Sequence, residues 1–319
     1  MIRNIVTVLL VAGTVATGGW AAAPAKAKPL HQRTIEKYPA PKLQNVNGRE
    51  VKFLLDPAKL KGSPAEVFAT IWDRVKAASA KHGFKVTEKE DNPLKIEKAY
   101  KEYFDTPGQD LWKKGYLVRI TQKYKKGVAE ATVGVTIKAV NPDADIAMGT
   151  PLKVVGVDKV KVEAEENAGP GAGGILDGYI EKGASFSVTL DSLGSLTLGD
   201  FAKYVPELAT LGLPAGTRLV GTRAYSVRVK PGAVELAGTD DCGFSFEGWS
   251  TKPGEAPYLY DISMGYGDID FYDSAALHEA SERFFQQVIA GELADLAMAQ
   301  PEKWGGSKVR KLMNRPLTH

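Results

Sequence analysis

The stretch spanning residues 97–119, EKAYKEYFDTPGQDLWKKGYLVR, constrains this chain most: an aromatic strand, a turn that stops it, and a new strand with a charge in its middle. Asp105 can accept a hydrogen bond from its own turn, while Pro107 fixes φ and ends the preceding pairing. After Gly115 the side chains alternate, Leu117, Arg119 and Thr121 on one face, Val118 and Ile120 on the other. A cation in mid-strand faces either bulk solvent or a wet interior. Which of the two holds decides what the chain can do.

The same alternation recurs along the chain. In GREVKFLLD, Val51, Phe53 and Leu55 oppose Glu50, Lys52 and Leu54. A capping box, Ser63-Pro64-Ala65-Glu66, opens a helix with Val67, Phe68, Ile71, Trp72 and Val75 at helical spacing, and Gly83 stops it. Strands follow at FKVTEKE and YLVRITQ, then a Lys-rich hairpin over residues 123–127. EATVGVTIKAV comes next, and then the long LKVVGVDKVKVEAEE. NAGPGAGG reads as a loop, and residues 169–199 as a middle insert. A short helix is expected over residues 200–211. TRLVGTRAYSVRVK, VELAG, FSFEGW and YLYDISMGY read as further strands before a helix starting near Asp273 and a basic end, KWGGSKVRKLMNR.

Many strands with a helix near each end predict an α+β fold built on an antiparallel, eight-stranded, closed or nearly closed β-barrel flanked by helices. With 319 residues, 44% of them hydrophobic, the chain can bury a full core. The first 27 residues combine Arg3, an apolar run and a series of alanines, the pattern of a signal peptide. Export to a periplasmic or secreted location is therefore expected, with no membrane association after cleavage. Residues 28–47 read as an exposed arm and 48–315 as the barrel domain. Cys242 is the single cysteine, so no intrachain disulfide forms.

Charges sit in mid-strand at Glu50, Lys52, Arg119, Lys138, Lys161, Glu163, Arg223 and Asp261. They describe either the solvated outer face of an antiparallel sheet or a polar barrel interior. Burying that many unpaired charges costs several kcal/mol each, so an interior of this kind must hold water and a charged ligand. Cations outnumber acids in the set, and phosphate oxygens suit arginine forks and lysine point charges. Lys+Arg 41 against Asp+Glu 38 leaves only +3 overall, which does not argue for nucleic-acid binding.

The order of GREVKFLLD, YFDTPGQDLWKKGYLVRI, VTIKA, a long charged strand, GTRAYSV, a turn at Asp241-Cys242-Gly243 and a late acidic strand resembles the CYTH superfamily, the triphosphate tunnel metalloenzymes. The resemblance spans residues 48–310, and YFDTPGQDLWKKGYLVRI is its most specific piece. It implies an eight-stranded tunnel whose basic side chains grip a triphosphate while acids hold Mg²⁺ or Mn²⁺. By that resemblance Lys52, Arg119, Lys138, Lys161, Arg223 and Lys308 bind a small phosphorylated anion. Lys52 and Arg119 also act in catalysis, and Glu50 and Asp261 hold the metal. The chain departs from the pattern at Gly48, at Thr121, and at Ser263 and Gly265, where acids or a second arginine are expected. The cations are thus better kept than the acids, which favours anion binding over hydrolysis. A metal-dependent triphosphatase and a non-catalytic polyanion-binding module are both compatible with it, and a lipocalin-like barrel would need the Val and Phe faces turned inward.

Other chemistries find no footing. The Gly-rich segment over residues 169–174 lacks the Gly-Lys-Ser/Thr of a P-loop, and the four histidines have no zinc-site spacing. No Gly-x-Ser-x-Gly is present. Trp112 and Trp249 read as rim or core packing.

Overall fold

The computed structural model describes residues 28–171, 174–299 and 308–309. The strands are β1 (Gly48–Leu55), β2 (Val86–Glu88), β3 (Glu97–Asp105), β4 (Tyr116–Lys125), β5 (Val128–Ala129) and β6 (Thr132–Val140). They continue as β7 (Val160–Pro170), β8 (Leu176–Thr189), β9 (Val220–Val229), β10 (Gly232–Leu236), β11 (Thr239–Ser250) and β12 (Leu259–Tyr266). Nine of them pair in the order β12-β1-β7-β8-β6-β4-β3-β9-β11, and β11 pairs back onto β12, closing a barrel. The expected closed α+β barrel is present, with nine strands in place of eight. It is mixed, because β1 runs parallel to β7 while the other pairs are antiparallel. The extra strand is β8, fourteen residues inside the segment read as a middle insert.

Alternation sorts the side chains. Val51, Phe53 and Leu55 of β1 point outward into a core with Phe68, Ile71, Trp72 and Val75 of the helix Pro64–Lys81 and with Phe284, Phe285 and Val288 near the carboxyl end. That helix carries the expected capping box, Ser63 with Glu66, and ends before Gly83 at φ +75°. Each large apolar side chain buried in this layer contributes about 1.5–3 kcal/mol. On the far side Val133, Val135 and Ile137 of β6 pack with Val118, Phe186, Phe201 and Leu208. The apolar faces therefore look outward under helices and loops, which excludes the lipocalin-like arrangement. The polar faces look inward.

Two further expectations change. Residues 28–47 are not an exposed arm: the helix Leu30–Lys37 docks, and Leu30, His31, Tyr38, Leu43 and Val46 are buried. The reversal between β10 and β11 falls at Ala237-Gly238, both at positive φ, so residues 241–243 lie within β11. The side chain of Asp241, the proposed signal segment 1–27 and the basic end other than Lys308 and Val309 lie outside the described residues.

Candidate functional site

The motif at residues 104–112 is a structural clamp. Buried Asp105 accepts hydrogen bonds from the backbone N–H groups of Thr106 (2.7 Å), Leu111 (2.9 Å) and Trp112 (3.1 Å), fixing the β3–β4 connection. From there β4 pairs Arg119 with Tyr103 of β3 and Thr136 of β6, so its side chain enters the barrel. The barrel encloses a cavity of about 1940 Å³ into which Glu50, Lys52, Arg119 and Lys138 project. Three of the proposed cations thus converge from three strands.

Inside, cations and carboxylates interleave. Lys52 pairs with Glu50, and Lys138 bridges Glu181 and Glu165, the latter at 3.4 Å. Lys101 pairs with Glu247, and Lys308 reaches both Glu247 and Asp261, the latter at 2.6 Å. Arg119 stands apart. Its Nη2 donates to Thr136 Oγ1 at 3.1 Å, and its buried Nε finds no partner among the described residues. A buried donor without an acceptor carries a cost that an incoming oxyanion would remove.

The proton affinities follow from this crowding. Burial, together with Glu50 and Glu181 nearby, pushes the Glu165 carboxyl up to about 7 despite Lys138. Burial would raise Glu181 as well, but Lys138 and Lys52 hold it at about 2. Burial lifts Asp261 to about 6, with Glu247 adding to the rise against Lys308. Burial and the like charges of Lys308 and Arg119 bring Lys101 down to about 8 even with Glu247 beside it. Among the described residues of the deep chamber, five cations (Lys52, Lys101, Arg119, Lys138, Lys308) face five carboxylates (Glu50, Glu165, Glu181, Glu247, Asp261). Among them the expected excess of cations is not found at this depth.

Towards one end of the barrel Leu54, Tyr103, Leu117, Trp249 and Leu259 form a buried apolar floor, with Val309 against it. Lys308 sits over the Trp249 ring, 5.3 Å from its centre, so Trp249 is floor packing as expected of an isolated tryptophan. The other end opens among exposed lysines of β4 and of the segments flanking β3, β7 and β9, with Glu97, Glu130, Asp158, Glu163 and Asp268 between them.

Several placements differ from the sequence reading. Arg223 is outside the barrel: it pairs with Glu102 at 2.7 Å and lies over the Tyr100 ring, half exposed. The inward residues of β9 are Ala224, Ser226 and Arg228, so the cation with the right parity is Arg228. Lys161 lies at the open mouth, largely exposed and paired with Glu163. Asp261 lies further along the barrel than Glu50, though near enough to feel its charge. It pairs in register with Leu54, four positions along β1, roughly 13 Å away by strand rise. It belongs to the floor with Lys308. Lys101, Glu165, Glu181 and Glu247 were missed, although Lys101 shares a strand face with Tyr103 and Glu165 follows Glu163 by two positions.

Among the described residues no three His, Cys, Asp or Glu side chains stand as a ready metal shell, because Lys52 and Lys138 engage the carboxylates. The chemistry of one set nonetheless suits a divalent ion. Glu165 and Glu181 are direct cross-strand partners and Glu50 adjoins them, three carboxylates on neighbouring strands of one wall. Glu50 with Asp261 is not such a set.

Fold and site together define a closed β-tunnel with a charged interior, the architecture implied by the resemblance to the CYTH superfamily. No protein-family model matches the chain, and no curated protein matches it. Among solved structures it is similar to HpAC1 from Hippeastrum, described as a candidate adenylyl cyclase with a dominant triphosphatase activity. The two share 15% identity over 86% of this chain and 100% of that one, with a TM-score of 0.40. A Bacillus halodurans protein described as a candidate adenylate cyclase matches at 12% identity, over 83% and 98% of the two chains, with a TM-score of 0.38. The PH1819 protein of Pyrococcus horikoshii OT3 matches at 13% identity, over 84% and 98%, with a TM-score of 0.35. The tunnel and its charges rest on the strand pairings and side chains themselves.

Proposed function

We propose that the chamber binds a triphosphate or polyphosphate-type anion together with Mg²⁺ or Mn²⁺ and hydrolyses its terminal phosphate. The observation that carries this reading is Arg119, a partly buried guanidinium beside Tyr103 whose Nε has no hydrogen-bond partner among the described residues, inside a chamber whose other described cations are ion-paired. Arg119 binds and orients phosphate oxygens, and Lys52 and Lys138 shift from their carboxylates towards the arriving anion. Glu50, Glu165 and Glu181, released from those lysines, would hold the metal. A bound divalent ion would neutralise phosphate charge and activate water. The buried acids restore what the strand bearing Asp261, Ser263 and Gly265 lacks, and this moves the balance from capture towards hydrolysis.

Purified protein with tripolyphosphate and Mg²⁺ or Mn²⁺ tests this reading. Release of orthophosphate that is abolished by a chelator is the expected result. Thermal stabilisation without release would leave the polyanion-binding module as the function, and neither response would remove the anion site altogether. We further infer export, on the signal-like residues 1–27; amino-terminal sequencing of protein recovered outside the cytoplasm checks it.

A further inference from the structure

The seam between β1 and β7 is shorter than β7 itself. Pairing with β1 covers only residues 165–168 of β7, whereas β8 pairs with it from Val160 onward. Among the described residues, no backbone hydrogen bond reaches the side of residues 160–163 that faces away from β8. The backbone N–H of Asn47 donates to the Ala164 carbonyl at 2.9 Å, so Ala164 turns its polar groups away from β8. By alternation Val162 and Val160 do the same, and their N–H and C=O groups form a bare edge. Val162 is 53% exposed on the outer face of that edge, with Val160 beside it, and Lys161 and Glu163 stand exposed on the mouth side. An open strand edge carrying exposed β-branched residues is a template for a further strand.

We propose that this edge pairs with the same edge of a second copy of the chain, antiparallel across a two-fold axis at Val162. Residues 160–164 read Val-Lys-Val-Glu-Ala, and their charge pattern selects the occupant. In that register the two Val162 residues exchange both backbone bonds, because their N–H and C=O groups face the edge. Lys161 of each copy then opposes Glu163 of the other in a non-bonded pair, where facing side chains stand closest. Two-fold symmetry makes the contact twice. Sliding by two residues either way sets Lys161 against Lys161 or Glu163 against Glu163, and sliding by one brings the wrong backbone groups to the seam. Within one copy Lys161 pairs with Glu163 two positions along the strand, and association exchanges this exposed contact for one across the seam. An extended segment of another protein offers the same backbone groups, but only a second copy is bound to carry the matching charges. Asn47 bounds the edge at Ala164, so the seam is short and the dimer is weak and concentration-dependent. It joins β8 and β7 of two barrels into one sheet and sets the two mouths side by side.

Sedimentation equilibrium over about a hundredfold range of protein concentration tests the pairing. The native mass should climb from monomer towards dimer. Lys161→Glu and Glu163→Lys, both at exposed side chains that tolerate substitution, should each weaken self-association more than about tenfold, because two attractive contacts become repulsive. An equimolar mixture of the two variants should regain the dimer, since the facing charges are again opposite. The double variant Lys161→Glu, Glu163→Lys should regain it for the same reason. Protection of the Val162 amide from hydrogen exchange should appear only at concentrations where the dimer forms. A native chain that stays monomeric throughout, or a dimer unmoved by both single reversals, would overturn the proposal. A dimer lost in the single variants but not regained in their mixture would overturn the antiparallel register and the assignment with it. Protection of the Val162 amide in dilute monomer would show that another segment of the same chain covers the edge, and would overturn it as well.

Discussion

At the scale of single residues, the contrast between Arg119 and Arg223 shows how much depends on strand parity. Both are mid-strand arginines in polar contexts, and both read from the sequence as phosphate ligands. Arg119 follows a clamp that sets its direction, whereas Arg223 lies on the face with Tyr225, against Glu102 and Tyr100. An exposed pair of that kind contributes only about 0–1 kcal/mol. Arg223→Ala should therefore leave tripolyphosphate affinity within about twofold, while Arg119→Ala should lower it more than about tenfold, the size expected for a lost charge-assisted contact. Titration calorimetry on the two purified variants decides the matter, and a large loss for Arg223→Ala would show that the ligand lies outside the tunnel. The parity was readable in part. Lys52, Arg119 and Lys138 stand opposite clear apolar faces, whereas β9 has half-polar residues on both sides and offers no such contrast.

Elements tell a different story, because a strand can hide in plain sequence. In β8 the inward positions read Tyr179, Glu181, Gly183, Ser185 and Ser187, a run of small and polar residues broken by glycine. A Cβ at Gly183 would stand 3.3 Å from Lys138 Cγ, a tight approach to the side chain that crosses it. The lysine stem that crosses it is contributed by β6, so the requirement is tertiary and leaves no local pattern. The docked helix Leu30–Lys37 was hidden for the same reason. Its amino end is held by Glu282, which accepts from the N–H groups of Leu30 (2.8 Å) and His31 (3.1 Å) and also pairs with buried Arg49. His31 and His278 stack beneath it with ring centres 4.3 Å apart, among Arg49, Glu166, Glu282 and Tyr266. Burial, and then Arg49, lowers both imidazoles from the ordinary 6.5, His278 to about 2. The unfolded chain therefore binds these protons first as pH falls. Stability is fully present above about 6.5 and declines below it, with a slope of up to about 1.4 kcal/mol per pH unit for His278. Urea midpoints between pH 7 and pH 4 should fall accordingly, and His278→Phe should flatten the trend. An unchanged slope in that variant would show that the histidine pair does not set the acid response.

For the whole molecule the governing quantity is the charge balance of the chamber. The barrel gathers these charges around one cavity of about 1940 Å³ that opens at one end, so each must be matched by a partner or solvated there. Among the described residues, five cations against five carboxylates meet that condition without a ligand. Adding a polyanion alone breaks it, because the anion must compete with Glu50, Glu165 and Glu181 for the same lysines. Adding an anion with divalent cations restores it, since the displaced carboxylates then have a partner. Binding of the two should therefore be coupled, each raising the affinity for the other by the same factor. A ligand present at a hundred times its Kd stabilises the folded state by about 2.7 kcal/mol, enough to read as a shift in Tm. Tripolyphosphate with a chelator, and Mg²⁺ alone, should each move Tm little, and the two together should move it by more than the sum of the separate shifts. Glu165→Gln with Glu181→Gln removes the negative charge that needs the metal and should let tripolyphosphate bind without Mg²⁺, reversing the order. If the native protein instead gains the same Tm from tripolyphosphate with and without Mg²⁺, the carboxylates are counter-ions to the lysines alone and the divalent ion has no place in the chamber.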